Sequence, residues 1–416
     1  MRKKIILTIT AVLVVFMVFT NIKKNPENSI PLKATFWEMQ SIDTVKQSRD
    51  LANQHLTNSS YDKEIENQVK KIAETGVTHI AVSTPYDSKF LPYLKRWVDI
   101  SRKYGLKIWF RGNFSGWEEW FEYKRIGQEE HKKLLKDFIL DNGDLFENGD
   151  IFTSCTECEN GGPGDPRNTK QVGNFRQFLI DEYQITKSAF RQVDKNVTSN
   201  YYPMNFDVAS LVMDKETTKA LGGVVVIDHY VSSYEKMNND ASKLAESSGG
   251  KVVIGEFGAP IPDLHGTMTD SEQAAWIENT LNLLSKNANV IGVNYWTGFG
   301  GSTRLWTGND SETPSVKILK SYFKPKSLVG IVKDQIGNPI KNAEVLSAYS
   351  KVVTDESGRF SLPYQGTTVK ANVNALGYYS AGITNSATDE FLTVTLKSRN
   401  EGFAFKLQKF FYSLFN

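Results

Sequence analysis

The chain has 416 residues, 40% of them hydrophobic and 12% aromatic, more than one average domain and ample for a packed core. Forty-nine Lys and Arg against 47 Asp and Glu leave a net charge of +2, too balanced to suggest a nucleic-acid partner. Eight Trp and 17 Tyr offer flat apolar faces suited to stacking.

At the N-terminus Arg2-Lys3-Lys4 precede an uncharged run from Ile5 to Ile22, closed by Lys23 and Lys24. The run is just long enough to cross a bilayer. No small-x-small cleavage site follows, so residues 1–29 read as an uncleaved anchor, with a removed signal peptide as the alternative. The positive-inside rule then puts the rest of the chain on the extracytoplasmic face of the membrane.

From residue 30 to 325 short apolar runs alternate with longer amphipathic stretches. Candidate strands lie at Lys33–Glu38, Thr78–Ser83, Leu106–Arg111, Asp150–Cys155, Val197–Tyr202, Val224–Asp228, Val252–Glu256 and Val290–Tyr295. Between them, Tyr61–Thr75 places Ile65, Val69 and Ile72 on one helical face, and Asp270–Lys286 opens with a Thr269-x-x-Glu272 capping box. Eight such units predict an α/β fold, a (β/α)8 barrel. An open doubly wound sheet is the alternative, but no Gly-rich phosphate fingerprint follows the first strand.

Beyond Lys324-Pro325-Lys326 short strands and turn chemistry alternate at close spacing, the pattern of a small β-sandwich over residues 327–397. Gly330-x-Val332, Gly337-x-Pro339-Ile340-x-x-Ala343-x-Val345, Thr354-Asp355-x-x-Gly358-x-Phe360 and Gly377-Tyr378 resemble the carboxypeptidase regulatory-like, transthyretin-like domain. The resemblance implies a spacer or interaction module. In the tail, residues 398–416, Phe403, Phe405, Phe410, Phe411, Leu414 and Phe415 interleave with Lys406 and Lys409, as in a helix lying on a membrane or packed on the sandwich.

Two carboxylate clusters carry the chemistry. Lys251-Val-Val-Ile-Gly-Glu-Phe-Gly-Ala-Pro260 sets Glu256 at the end of a β-branched run, where a barrel strand delivers functional groups. Upstream, Asp150-Ile-Phe-Thr-Ser-Cys-Thr-Glu-Cys-Glu159 ends in Glu157 and Glu159 before breaking into Asn160-Gly161-Gly162-Pro163-Gly164. Two strand-end glutamates are the minimum set for retaining glycoside hydrolysis, one as acid/base and one as nucleophile.

At these residues the barrel resembles clan A glycoside hydrolases, the retaining cellulase and β-mannanase-like superfamily. Thr156-Glu157-Cys158-Glu159 stands where that family has Asn-Glu-Pro after the fourth strand, and Gly255-Glu256-Phe257-Gly258 where its nucleophile ends the seventh. The resemblance implies Glu157 as acid/base and Glu256 as nucleophile, with His229 and Tyr230 near the nucleophile. It also implies Trp296 flooring the subsite for the reacting sugar and Arg111 as the Arg beside the nucleophile. Thr156 replaces an Asn that hydrogen-bonds the sugar 2-hydroxyl, and Glu159 is a rival acid/base or a sugar-binding residue. Each of the two glutamates could instead cap a helix or make an ion pair. His229 could be a core histidine, and Trp37, Trp109 and Trp117 could be packing or subsite walls.

Cys155-x-x-Cys158 straddles Glu157. In extended chain the Cα atoms stand about 10 Å apart, so a disulfide requires the turn to begin at Thr156. Disulfide and free thiols both stay open, while two thiols alone make a poor metal site.

The resulting expectation is a membrane-anchored or secreted hydrolase of β-linked glycans, its partner a polysaccharide or oligosaccharide. In it, burial and the second carboxylate raise the pKa of Glu157, and ionised Glu256 attacks the anomeric carbon. No metal or organic cofactor is needed. The alternative is a non-catalytic cell-surface glycan-binding or assembly protein on the same barrel.

Overall fold

The computed structural model describes residues 34–115, 121–386 and 391–399. The expected anchor at 1–29, Trp117 and the tail from Gly402 lie outside them. Among the described residues no helix is long and apolar enough to cross a membrane.

Eight parallel strands form the first unit: β1 (Met39–Asp43), β2 (His79–Val82), β3 (Lys107–Phe110), β4 (Ile151–Phe152), β5 (Pro203–Asn205), β6 (Val224–Asp228), β7 (Lys251–Phe257) and β8 (Val290–Tyr295). They run side by side in the order β4-β3-β2-β1-β8-β7-β6-β5. The seam between β4 and β5 closes through a parallel bridge from Ile151 to Thr198, with Phe152 N–H donating to Thr198 C=O at 3.1 Å and Tyr201 N–H to Phe152 C=O at 3.0 Å. The barrel is therefore a continuous ring.

Met39, Ala81, Trp109, Ile151, Val226 and Val253 pack together as one buried cluster contributed by strands of the ring. Other strand side chains, such as Ile42, Ile80, Ile108, Ile227 and Ile254, join the larger core shared with the surrounding helices. On Asp62–Glu74, Ile65, Val69 and Ile72 are all buried, and the Thr269–Glu272 capping box opens the helix Asp270–Leu284.

Two expected strands are displaced. Of the run Lys33–Glu38, the described part, Ala34–Glu38, is not a strand; Trp37 packs instead against Tyr322 and Phe323 of the last barrel helix, Pro314–Phe323. The strand begins at Met39, in a segment whose buried Gln40, Ser41 and Asp43 hide it from hydropathy. Val197–Tyr202 supplies the seam bridge, and β5 itself is Pro203–Asn205.

The second unit is a β-sandwich. One sheet orders Lys351–Val353, Glu344–Ser347, Thr368–Asn374 and Ala381–Ser386, and the other orders Arg359–Tyr364, Lys326–Asp334 and Leu392–Leu396. Its core, which includes Leu328, Val332, Val345, Phe360, Val373 and Leu396, is separate from that of the barrel. Gly358, at φ +73°, sits where a Cβ would lie 2.5 Å from the Val332 carbonyl, so this turn is closed to side chains.

Because the two cores share no cluster, a chain cut after Pro325 should keep a cooperative thermal transition. The check is calorimetry of residues 34–325 beside the full chain, with a broad, non-cooperative melt as the contrary result.

Candidate functional site

The site is built at the C-terminal end of the ring, around one guanidinium. Arg111 follows β3 directly, and its side chain is 1% exposed. Nη2 donates to Glu256 Oε1 at 2.6 Å and to Asp228 Oδ2 at 3.0 Å. Nη1 donates to the Gly255 carbonyl at 2.6 Å, and Nε lies 3.6 Å from Asp43 Oδ2. Carboxylates from β1, β6 and β7 thus converge on a cation presented by β3. Tyr230, two residues past β6, donates its hydroxyl to Glu256 Oε2 at 2.6 Å, so both oxygens of Glu256 are held.

Gly255 makes this convergence possible. A Cβ there would stand 2.4 Å from Asp228 Oδ1, so only glycine lets the buried Asp228 lie against the strand that carries Glu256. Asn294 of β8 completes the frame, donating to Asp43 Oδ2 at 3.1 Å and to the Gly255 carbonyl at 2.8 Å.

One guanidinium cannot balance three carboxylates out of water, so protons must make up the difference. Burial raises the pKa of Asp43 and pushes Asp228 well above the carboxylate range, against the pull of Arg111 in each case. Burial, with a further push from Glu157, lifts Glu256 from its ordinary 4.5 to about 7 although Arg111 and Tyr230 oppose it. Desolvation beside other carboxyls thus outweighs the two hydrogen bonds that Glu256 accepts. Arg111 moves the other way: burial opposes its charge, but Asp228, Glu256 and Asp43 outweigh burial and hold it above its ordinary value.

Glu157 is not at a strand end. β4 stops at Phe152, and Glu157 lies five residues on, in a left-handed conformation at φ 44° and ψ 55°. Its N–H donates to the Pro203 carbonyl at 2.9 Å, and its Oε2 accepts from Asn160 Nδ2 at 3.1 Å. The loop is closed by a Cys155–Cys158 disulfide with Cα atoms 5.2 Å apart, which resolves the thiol question. His131 has a ring nitrogen within 4.8 Å of both sulfurs, but the sulfurs are spent on each other.

The remaining residues divide. Thr156 donates its hydroxyl to the Arg111 carbonyl at 3.0 Å, so it ties two loops of the site together. Glu159 is buried, and its Oε1 accepts from Asn205 N–H and Nδ2 at 2.7 and 3.1 Å; burial raises its pKa. It fastens the end of β5. His229 bonds Asp240 through Nε2 at 3.0 Å and stacks on Phe206, a core histidine whose backbone N–H meets the Glu256 carbonyl at 2.9 Å. Trp296 packs edge-on against Tyr230, with the Lys46 ammonium 5.6 Å from its ring. Trp37 and Trp109 are buried in the core, Trp109 donating Nε1–H to Thr153 Oγ1 at 2.9 Å beneath the Arg111 plane. A cleft beside Glu256 is walled by Arg49, Asn113, Phe121, Tyr123 and Thr156.

Sequence reading missed Asp43 and Asp228. Asp228 ended a correctly drawn strand and carried the same signal as Glu256; Asp43 was lost with the misplaced first strand.

No family model matches the sequence, and no curated protein matches it. In fold the chain is similar to a fungal β-1,4-galactanase, with a TM-score of 0.50 and 13% identity over 68% of this chain and 99% of that one. Two further solved structures that resemble it are a GH5_18 protein from Bifidobacterium longum subsp. infantis, at TM-score 0.48, 13% identity and 73% and 87% coverage, and xylanase 10B from Thermotoga maritima, at 0.46, 14%, 69% and 94%. The galactanase match shows the barrel fold.

A folded-state pKa near 7 means that the native protein binds a proton at Glu256 that the unfolded chain has released. That contribution is present below about pH 4.5 and is lost as pH rises toward 7. Glu256→Gln should therefore flatten the fall of stability between pH 5 and pH 8 and make the variant the more stable protein at pH 8, as read by urea unfolding at both values. A wild-type slope retained in the variant would contradict the assignment.

Proposed function

We propose that this chain hydrolyses β-linked glycans with retention of configuration, Glu256 acting as nucleophile and Glu157 as acid and then base. The observation that carries the reading is Glu256 itself. It is a carboxylate at the end of β7, with one oxygen held by Arg111 and the other by Tyr230, and it senses the charge of a second carboxylate beyond β4.

The chemistry follows from the pair. When Glu157 carries the proton its repulsion of Glu256 disappears, which lowers the pKa of Glu256 and favours the state in which one residue can donate while the other attacks. Arg111 and Tyr230 fix the attacking oxygens, Glu157 gives its proton to the leaving oxygen, and the C–O bond breaks as the glycosyl ester forms. Water activated by Glu157 then releases the sugar. Trp296 offers a ring face for the reacting sugar. The disulfide supports an extracytoplasmic location, and the sandwich, by its resemblance to carboxypeptidase regulatory-like domains, serves as a spacer or interaction module.

Thr156 favours a second reading, a glycan-binding barrel without turnover. Its hydroxyl donates to the Arg111 carbonyl, so this side chain has only acceptor lone pairs left for a sugar 2-hydroxyl and lacks the amide fork of the family Asn. Equilibrium binding of β-linked oligosaccharides with no product formed would select it.

The test of the first reading is a panel of aryl β-glycosides and β-linked polysaccharides. Glu256→Ala should abolish turnover, with azide restoring a product of inverted configuration. Glu157→Ala should lose about 10²- to 10⁴-fold on poor leaving groups, far less on activated ones, with azide giving a retained product. If Glu159→Ala shows that leaving-group dependence instead, the acid/base lies two residues further on.

A further inference from the structure

The two carboxylates are held in different ways, and the difference assigns a task to the cysteines. Glu256 lies within a ladder that is bonded on both sides, Asp228 pairing with Glu256 and Tyr295 with Phe257. Glu157 stands outside such a ladder, its N–H donating to the Pro203 carbonyl of β5 at 2.9 Å. The β4 ladder ends at Phe152, and between it and Glu157 the backbone is tied by Thr153 N–H to the Phe110 carbonyl at 2.9 Å and by Ser154 N–H to Asn200 Oδ1 at 2.8 Å. The residue then adopts a left-handed backbone, a conformation that a glutamate holds only where its surroundings impose it.

We propose that the Cys155–Cys158 disulfide is the positioning element of Glu157, taking the place of the missing strand. The proposal rests on the reading of Glu157 as proton donor. The bond closes a ring over Cys155, Thr156, Glu157 and Cys158, pulling together Cα atoms that extended chain would hold about 10 Å apart, so the chain must turn at Glu157. The following turn is seated on the bond. A Cβ on Gly162 would lie 2.8 Å from each sulfur and 2.7 Å from the Cys158 carbonyl. Gly162 N–H donates to that carbonyl at 2.8 Å, and Ser115 donates its hydroxyl to the Gly161 carbonyl at 3.1 Å. Asn160, whose amide holds Glu157 Oε2, lies in the same turn. The sulfurs thus act on both the backbone of Glu157 and the turn that carries Asn160, beside the Glu157 N–H bond to the Pro203 carbonyl and an Arg167 Nη2 bond to Asn160 Oδ1 at 3.1 Å. They are buried, Cys155 at 0% and Cys158 at 3% exposure, so the bond serves the loop and not exchange with solvent thiols.

The experiment compares the full chain with its Cys155→Ala/Cys158→Ala double variant and with Glu157→Ala. The substrates are a phenyl and a 2,4-dinitrophenyl β-glycoside of whichever sugar the wild type hydrolyses. The double variant should lose about 10- to 100-fold in kcat on the phenyl glycoside with KM within about twofold, and less than about threefold on the dinitrophenyl glycoside, the mark of a misplaced proton donor. Equal loss on both substrates, or no loss, in a background where Glu157→Ala does show leaving-group dependence overturns the positioning role and leaves the function intact. Absence of that dependence in Glu157→Ala overturns both. If the wild type turns over neither substrate, amide exchange decides: deprotection of residues 155–162 with the barrel strands unchanged supports the clamp, and unchanged protection overturns it.

Discussion

Everything at the mouth of this barrel depends on one buried cation. Arg111 reaches from the end of β3 to Asp43, Asp228 and Glu256 on three other strands, spanning the ring where no backbone hydrogen bond can. Removing a buried partner of this kind typically costs 3–5 kcal/mol, because the charges left behind have no water to return to. Here burial also raises the pKa of Asp43, Asp228 and Glu256, which favours their neutral forms. The same guanidinium that orders the strands also pulls the pKa of all three carboxyls down against burial.

Sequence reading succeeded where hydropathy and structure agree. β6 and β8 coincide with their expected ranges because Val224-Val-Val-Ile-Asp228 and Val290–Tyr295 bury nearly every side chain. It failed at β1, whose Gln40, Ser41 and Asp43 are as buried as valines. Two of them find partners inside the protein: the Gln40 amide donates to the Gly76 and Phe323 carbonyls, both at 2.6 Å, and Asp43 accepts from Val45 N–H at 2.7 Å. A pattern counted on apolar residues cannot see a strand whose partners are polar and distant in sequence. The fourth strand was half legible, since Ile151 and Phe152 enter the sheet but the segment beyond them, which bears Glu157, is shaped by a covalent bond that composition left open.

The site residues fared similarly. Glu256 with its flanking Gly255 was readable, because a strand-end carboxylate after a glycine signals close packing with a neighbour, and that neighbour is Asp228. His229 and Glu159 looked alike in sequence, polar residues next to candidate catalysts. Each has a private partner, Asp240 for one and Asn205 for the other, lying 11 and 46 residues away. Only three-dimensional proximity shows that each already has a partner.

Both terminal connections of the barrel sit at the face opposite Glu256. Ala34 N–H donates to Ser327 Oγ at 3.3 Å, joining the entry into β1 to the first strand of the sandwich, and Lys324 Nζ meets the Glu74 carbonyl at 2.7 Å. The chain therefore enters and leaves the barrel at its base, with the sandwich at the same end. The open mouth faces away from the sandwich, and the cleft beside Glu256 is walled by barrel residues alone, so the second unit can change without reshaping it.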